Sequence, residues 1–329
     1  MEPDKNHSKH NPGPGKPLNL FGDYLWAEYN CRVLKLPINA GLSCPNRDGT
    51  FGTSGCTFCA EDGSAAPTTG SSPSIIEQMR FARSSFKRSD AETRYIAYFQ
   101  AYTNTHAPVP VLRSLYDSAL SDKDIIGLMI GTRPDCLPDD VLDLIASYRK
   151  KDFELWLEIG MQTMHERSLG YLNRRHSHGS TVDAVMRAAR KQIPVCVHVI
   201  LGIPGESWKD MMDTAEEISS MPVMGVKIHH MHVIRGTRLE ELYNRGDFKT
   251  LSLREYVSCV CDFIERLRPD IILHRLMGDR DSGTLVSPLW SLRKGTVIQS
   301  IEDEFKRRGT FQGFMVDPFT EHDLPGDGQ

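Results

Sequence analysis

Residues 42–64 read LSCPNRDGTFGTSGCTFCAEDGS, and the way this stretch is understood decides the fold of the whole chain. Cys44, Cys56 and Cys59 stand in it with the spacing C-x11-C-x2-C. Pro45, Gly49, Gly52 and Gly55 break both helical and strand patterns, so the stretch is a loop. Something must hold such a loop in shape, and three thiolates sharing a metal centre would do so. Three ligands leave one coordination position open.

Working outward, residues 32–37 (RVLKLP) lead into the loop as a short strand. Residues 73–87 follow it with Ile75, Ile76, Met79, Ala82 and Phe86 on one helical stripe. The alternation then continues. Strands are expected at 94–99, 125–130, 153–159, 195–201, 225–234 and 271–276, with helices at 109–120, 138–148, 181–191, 208–219 and 252–268. This rhythm calls for a parallel sheet of βαβ units. Six or seven strands suit an α/β fold of the open, partial (β/α)6 TIM-like barrel type better than a closed one, with a doubly wound sheet as the alternative. In either case the working residues belong just after the strand C-termini. Residues 1–17 read as a disordered tail, 18–280 as the barrel and 281–329 as a C-terminal helical extension and tail.

With 329 residues and a net charge of −4, the chain has ample core and no global attraction for nucleic acid, although a local basic groove is compatible with that sum. Five of the eight cysteines are scattered, which argues against a disulfide framework. No apolar run approaches the ~18 residues of a membrane span, and the N-terminus has no signal core. A cytoplasmic location follows as an expectation. His7 and His10 in the tail are adventitious metal ligands at most.

Cys56-x-x-Cys59 alone would suit a redox pair or half a zinc site. Structural zinc needs a fourth protein ligand, and a redox pair needs neither Cys44 nor the glycine-rich spacer. A [4Fe–4S] cluster with one iron left open fits better, because backbone N–H groups of such a loop can also tune it. Phe58 would then shield the cluster.

The loop motifs CPNRDGT and GCTFC, followed in order by GTRPDCLP, EIGMQT, LNRRHS, HVILGIPGE, MHVIRGT and LHRLMGD, resemble the radical S-adenosylmethionine (SAM) superfamily. Within it they are similar to the YhcC/YtqA-type family, itself related to the Elongator catalytic subunit. The resemblance covers about residues 18–315, with the usual C-x3-C-x2-C stretched to C-x11-C-x2-C.

This resemblance implies a [4Fe–4S] cluster on Cys44, Cys56 and Cys59, SAM chelated at the open iron, and reductive cleavage to a 5′-deoxyadenosyl radical. Gln100, Thr103 and Asn104 occupy the place where relatives grip the SAM amino group, without the usual glycines and acid. Gln162 matches a ribose-binding glutamine and Arg174 a carboxylate-binding position. His198 falls where relatives place an acid near the ribose, and Gly202 and Gly205 would let backbone approach adenine. The implied substrate is tRNA at a wobble uridine side chain, and the implied electron donor is a flavodoxin or ferredoxin. A small-metabolite substrate and a non-catalytic zinc or iron–sulfur scaffold are the alternatives.

Three further features stand out. In KIHHMHVI, Lys227 with His229 and His230 with His232 lie on alternating faces, and one pair is expected to face the lumen. Arg275 and Asp279 are candidates for the substrate mouth, or for a salt bridge closing the barrel. Trp290, Arg293 and Lys294 are candidates for RNA contact.

Overall fold

The computed structural model describes residues 16–63, 74–86 and 92–316; the expectations for the N-terminal tail, including His7 and His10, lie outside them. Seven parallel strands form one curled sheet: β1 (Arg32–Ile38), β2 (Thr93–Phe99), β3 (Ile125–Thr132), β4 (Glu154–Gln162), β5 (Val195–Leu201), β6 (Gly225–His230) and, last, β8 (Ile272–Arg275). The strands are ordered as in the sequence, and β1 and β8 are not hydrogen-bonded to each other, so the barrel is open. The expected strand at 225–234 divides: its last residues, β7 (Val233–Ile234), leave the sheet and pair antiparallel with β9 (Leu285–Ser287).

Helices cover the outer face: α2 (Ile75–Ser85), α3 (Val109–Ala119), α4 (Asp139–Ala146), α6 (His178–Arg190), α7 (Trp208–Ser220) and α9 (Leu253–Ile264). Their starts are written locally. Ser207 and Ser252 form capping boxes with Asp210 and Glu255, and Ser74 and Ser177 cap α2 and α6. The central strands carry continuous apolar runs because both faces are covered, as β4, buried along its whole length, illustrates.

Periodicity alone does not reveal the short helices α1 (Phe21–Tyr29), α5 (Glu166–Tyr171) and α8 (Arg238–Asn244). The first of these matters most for the site. Phe21, Tyr24 and Leu25 of α1 pack with Trp156, Ile96, Tyr98 and Met129 as a second core, forming a floor at the strand N-termini. Glu154 is buried there and accepts hydrogen bonds from Tyr29 Oη (2.9 Å), Tyr24 Oη (3.3 Å) and Trp156 Nε1. The helix α10 (Lys294–Arg308) packs through Val297, Ile301 and Phe305, and Arg308 is pinned by Asp262 (2.6 Å) and Glu265 (3.1 Å). Among the described residues, no helix is long and apolar enough to cross a membrane.

Candidate active site

The cysteine loop emerges from β1 at the C-terminal mouth of the sheet and is stitched together by its own polar groups. Cys44 O accepts from the amides of Arg47 (2.7 Å) and Asp48 (3.0 Å), and Asn46 O accepts from Gly55 N (2.8 Å). The Asp48 carboxylate accepts from Ser43 Oγ (2.6 Å) and Thr50 Oγ1 (2.7 Å) and pairs with His106 (2.9 Å). Those bonds hold it well below the usual carboxylate range. Arg47 Nη2 donates to Cys59 O and Ala60 O, each at 2.8 Å, fastening the loop's end to its beginning. Gly55 has φ +70°, a conformation that favours glycine, and a Cβ there would press on Arg47 Nε at 2.9 Å.

A second loop, LNRRHS after α5, clamps the first. Asn173 and Arg175 both adopt left-handed backbone (φ 52° and 57°), a conformation that costs non-glycine residues energy. The reward is a dense set of contacts. Asn173 Nδ2 donates to Gly55 O (2.6 Å), Asn46 Nδ2 donates to Asn173 O (2.6 Å), and Arg175 Nη1 donates to Phe51 O (3.0 Å). Arg174, buried between them, donates from Nη1 to Cys56 Sγ (3.3 Å), from Nη2 to Gly160 O (3.0 Å) and from Nε to His176 Nε2 (3.1 Å). His176 therefore keeps its proton on Nδ1, facing Ser177 O (3.2 Å). Burial and the neighbouring Arg174 push its pKa down to about 3, so it is neutral.

All three cysteines are free and line one cavity of about 640 Å³. Burial, with Cys56 beside it, raises the Cys59 thiol despite the opposing charge of Arg47. The ligand atoms of Glu158, Cys196 and His198 lie within 4.8 Å of one another.

The sequence-designated residues are placed unequally. Gln100, Thr103, Gln162, Arg174 and His198 line the cavity with the cysteines and Phe58. Thr103 Oγ1 is buried there without a hydrogen-bond partner. Gln162 ends β4 with φ 69°, where the β4–β5 register shifts between Ile159 and Gln162. A Cβ on Gly160 would meet Gln162 Nε2 at 2.7 Å and Arg174 Nη2 at 2.9 Å, so these two polar heads share the space that glycine leaves. Asn104 and Gly202 do not line the cavity. Asn104 Nδ2 donates to Gly131 O (2.9 Å) and its backbone carbonyl takes the Tyr116 hydroxyl (2.6 Å), while its side-chain Oδ1 is buried without a partner among the described residues. Gly202 N donates to Met211 Sδ (3.2 Å) and a Cβ there would meet Leu251 at 2.9 Å.

Below the mouth lies a charged layer that sequence reasoning largely missed. Glu158 Oε2 accepts from Tyr98 Oη (2.5 Å), pairs with Lys227 Nζ (2.9 Å) and contacts His198 Nε2 (2.9 Å). Burial alone would raise this carboxyl, but Lys227 and His198 hold it well below its ordinary value. Lys35 approaches Glu158 Oε1 at 3.9 Å and lies over the Phe21 and Tyr98 rings at 4.5 and 5.5 Å. Burial, reinforced by Lys227 and Arg275, lowers Lys35 to about 8, and burial lowers His198 to about 4. The available signal was a charged or phenolic residue set among the apolar residues of each strand: Lys35 in RVLKLP, Tyr98 in RYIAYF and Glu158 in ELWLEI.

Of the two sets in KIHHMHVI, Lys227 and His229 face this layer, His229 lying 5.8 Å from the His198 ring. His230 instead packs on Tyr256 and Trp290 (5.5 and 4.7 Å). Trp290 stacks on Tyr256 and bonds Leu251 O (2.9 Å), so its indole is committed to packing, while Arg293 and Lys294 are exposed. The Arg275–Asp279 salt bridge is not formed; Asp279 pairs with Lys294 (3.4 Å).

Comparison with known proteins agrees with this geometry. The Radical SAM superfamily profile matches residues 46–218, and the Radical SAM C-terminal domain profile matches 223–307. The chain is 39% identical to YtqA of Bacillus subtilis, over 91% of this chain and 92% of that one. It is 37% identical to YhcC of Escherichia coli, over 89% and 94%. A shorter similarity, 29% identity over 41% of this chain and 25% of the other, is to the tRNA uridine(34) acetyltransferase of Methanocaldococcus infernus. Among solved structures, archaeal Elp3 from the same organism superposes with a TM-score of 0.62 at 17% identity, over 86% of this chain and 64% of that one, a likeness of fold. With this sequence coverage and a parallel half-barrel open at the cysteine mouth, the chain belongs to the radical SAM superfamily of enzymes.

Proposed function

We propose that Cys44, Cys56 and Cys59 hold a [4Fe–4S] cluster, that SAM binds its open iron, and that the substrate is a tRNA carrying a wobble uridine side chain. The observation that supports this most is the convergence of three free thiols on one cavity, with Arg174 bonded to the sulfur of Cys56. When bound, the cluster and SAM supply an electron and a 5′-deoxyadenosyl radical that takes a hydrogen atom from the substrate.

The chain's own residues bind, orient and insulate. Arg174 neutralises charge at Cys56 and holds two loops in register. The unpartnered Thr103 hydroxyl and the Gln100 and Gln162 amides offer polar contacts for the amino acid and ribose parts of SAM. The α1 floor closes the far end of the lumen against water. Residues 18–280 carry this chemistry, with 281–329 as an extension, and a flavodoxin or ferredoxin supplies the electron.

The tRNA assignment rests on the similarity to the M. infernus tRNA uridine(34) acetyltransferase. Nucleoside profiling of total tRNA from cells with and without the gene tests it. A uridine derivative that accumulates without the gene supports the assignment; identical profiles overturn it and leave a small metabolite as substrate.

A further inference from the structure

The lumen holds more cations than anions, and one of the cations is unspent. The strand register sets His198 beside Lys227 and Lys227 beside Arg275, so β5, β6 and β8 present a row of three basic residues to the cavity. Lys35 joins them from β1. Within this layer the carboxylate facing them is Glu158, and its charge is taken by Lys227 at 2.9 Å with Lys35 at 3.9 Å. At the mouth, Asp279 is engaged by Lys294, while Asp281 accepts from Gly283 N and Thr284. Arg275 makes no hydrogen bond or ion pair among the described residues. Its charge is nevertheless felt across the lumen, where it lowers the pKa of Lys227, His198 and His229.

This guanidinium, half-buried in the cavity wall, offers its five donors to an acceptor in the lumen. The floor beneath it is closed by aromatic packing: Phe21 stacks on His274 at 4.0 Å and Trp156 meets the same ring at 4.3 Å. Lys35 and Lys227 share the single charge of Glu158 and Arg275 has no partner among the described residues, so the layer is net positive, and the planar fork of the guanidinium matches a planar carboxylate in two parallel bonds.

We propose that Arg275 is the substrate-binding residue for a carboxylate at the reacting end of the substrate, with the lumen layer of Lys35, Lys227 and Glu158 setting the charge around it. This rests on the reading of the lumen as the substrate chamber. The SAM carboxylate is a separate matter, since Arg174, beside Cys56, is the candidate for it.

The test labels the reconstituted holoprotein with phenylglyoxal, which modifies guanidinium groups, and follows the Arg275 adduct by peptide mass spectrometry. Acetate is expected to slow Arg275 labelling several-fold, while methyl acetate, its neutral analogue, leaves the rate unchanged. The absence of acetate protection overturns the proposal. Stronger protection by inorganic phosphate overturns the carboxylate, and protection by SAM as strong as that by acetate reassigns Arg275 to the cofactor. In cells, the nucleoside that accumulates without the gene is expected to gain a methyl group on esterification; a neutral nucleoside also overturns the proposal. An unchanged tRNA profile removes the tRNA reading alone, because acetate protection still decides the anion site.

Discussion

Arg174 and Cys56, 118 residues apart in sequence, are joined by a hydrogen bond of 3.3 Å from Nη1 to Sγ, and the same guanidinium holds Gly160 O at 3.0 Å. One side chain thus ties the cysteine loop, β4 and the LNRRHS turn into a single unit. Replacing Arg174 with Met leaves Gly160 O and His176 without their donor, each worth about 1–3 kcal/mol when buried. R174M is expected to unfold at lower temperature and to retain less iron after reconstitution. R174K, which keeps a charge but not the fork, should recover stability more than SAM affinity. Calorimetry and iron analysis check both.

Gly160 gives a cleaner separation of site from fold. Its added Cβ in G160A meets the flexible ends of Gln162 and Arg174, at 2.7 and 2.9 Å, rather than backbone. The cost to stability is expected to be within about 1–3 kcal/mol, the range for overpacking. Formation of 5′-deoxyadenosine should fall by tenfold or more, since about 1.4 kcal/mol of misplaced binding accounts for each factor of ten.

Glu158 is the anion that makes the lumen's cations tolerable. E158Q leaves Lys227 buried without its counter-charge, and breaking a buried pair typically costs about 3–5 kcal/mol. The double variant E158Q/K227M should regain much of that loss, because it removes the uncompensated charge. Denaturant titration of the four proteins measures the coupling directly.

His230 sets part of the acid response. It is buried against Tyr256 and Trp290, neither ring nitrogen has a partner, and burial lowers its pKa to about 4. In the unfolded chain the pKa is near 6.5. Below that value the unfolded chain binds a proton that the folded one refuses, so stability present above about pH 6.5 is lost as pH falls toward 4. The slope is ~1.4 kcal/mol per pH unit for this group. H230L is expected to flatten the stability profile between pH 6.5 and 4 by roughly 3 kcal/mol in total. An unchanged slope would show that His230 is protonated in the fold.

The strands, the cysteine triad and Arg174 were legible in the chain because each is written locally: apolar runs of strand length, a broken glycine-rich loop, and a motif in order. The floor helix α1 was not, because nine residues with little amphipathic pattern take their place from packing on Trp156 and His274. The charged layer was hidden for another reason. Lys35, Tyr98, Glu158, His198, Lys227 and Arg275 come from six strands, and only the register between them reveals that they meet. Asn104 and Gly202 show the converse. They sit in the expected loops, yet Asn104 Nδ2 bonds Gly131 O and Gly202 N bonds Met211 Sδ, contacts that spacing cannot show.

The central claim concerns the three thiols and the chemistry they support. Anaerobic reconstitution of the full chain with iron and sulfide, followed by addition of dithionite and SAM, tests it most directly through the 5′-deoxyadenosine released. The account predicts a reducible [4Fe–4S] signal and 5′-deoxyadenosine from the native protein, and loss of both in C44A, C56A and C59A. An intact cluster in all three variants, or a native protein that binds the cluster and releases no 5′-deoxyadenosine, would contradict it.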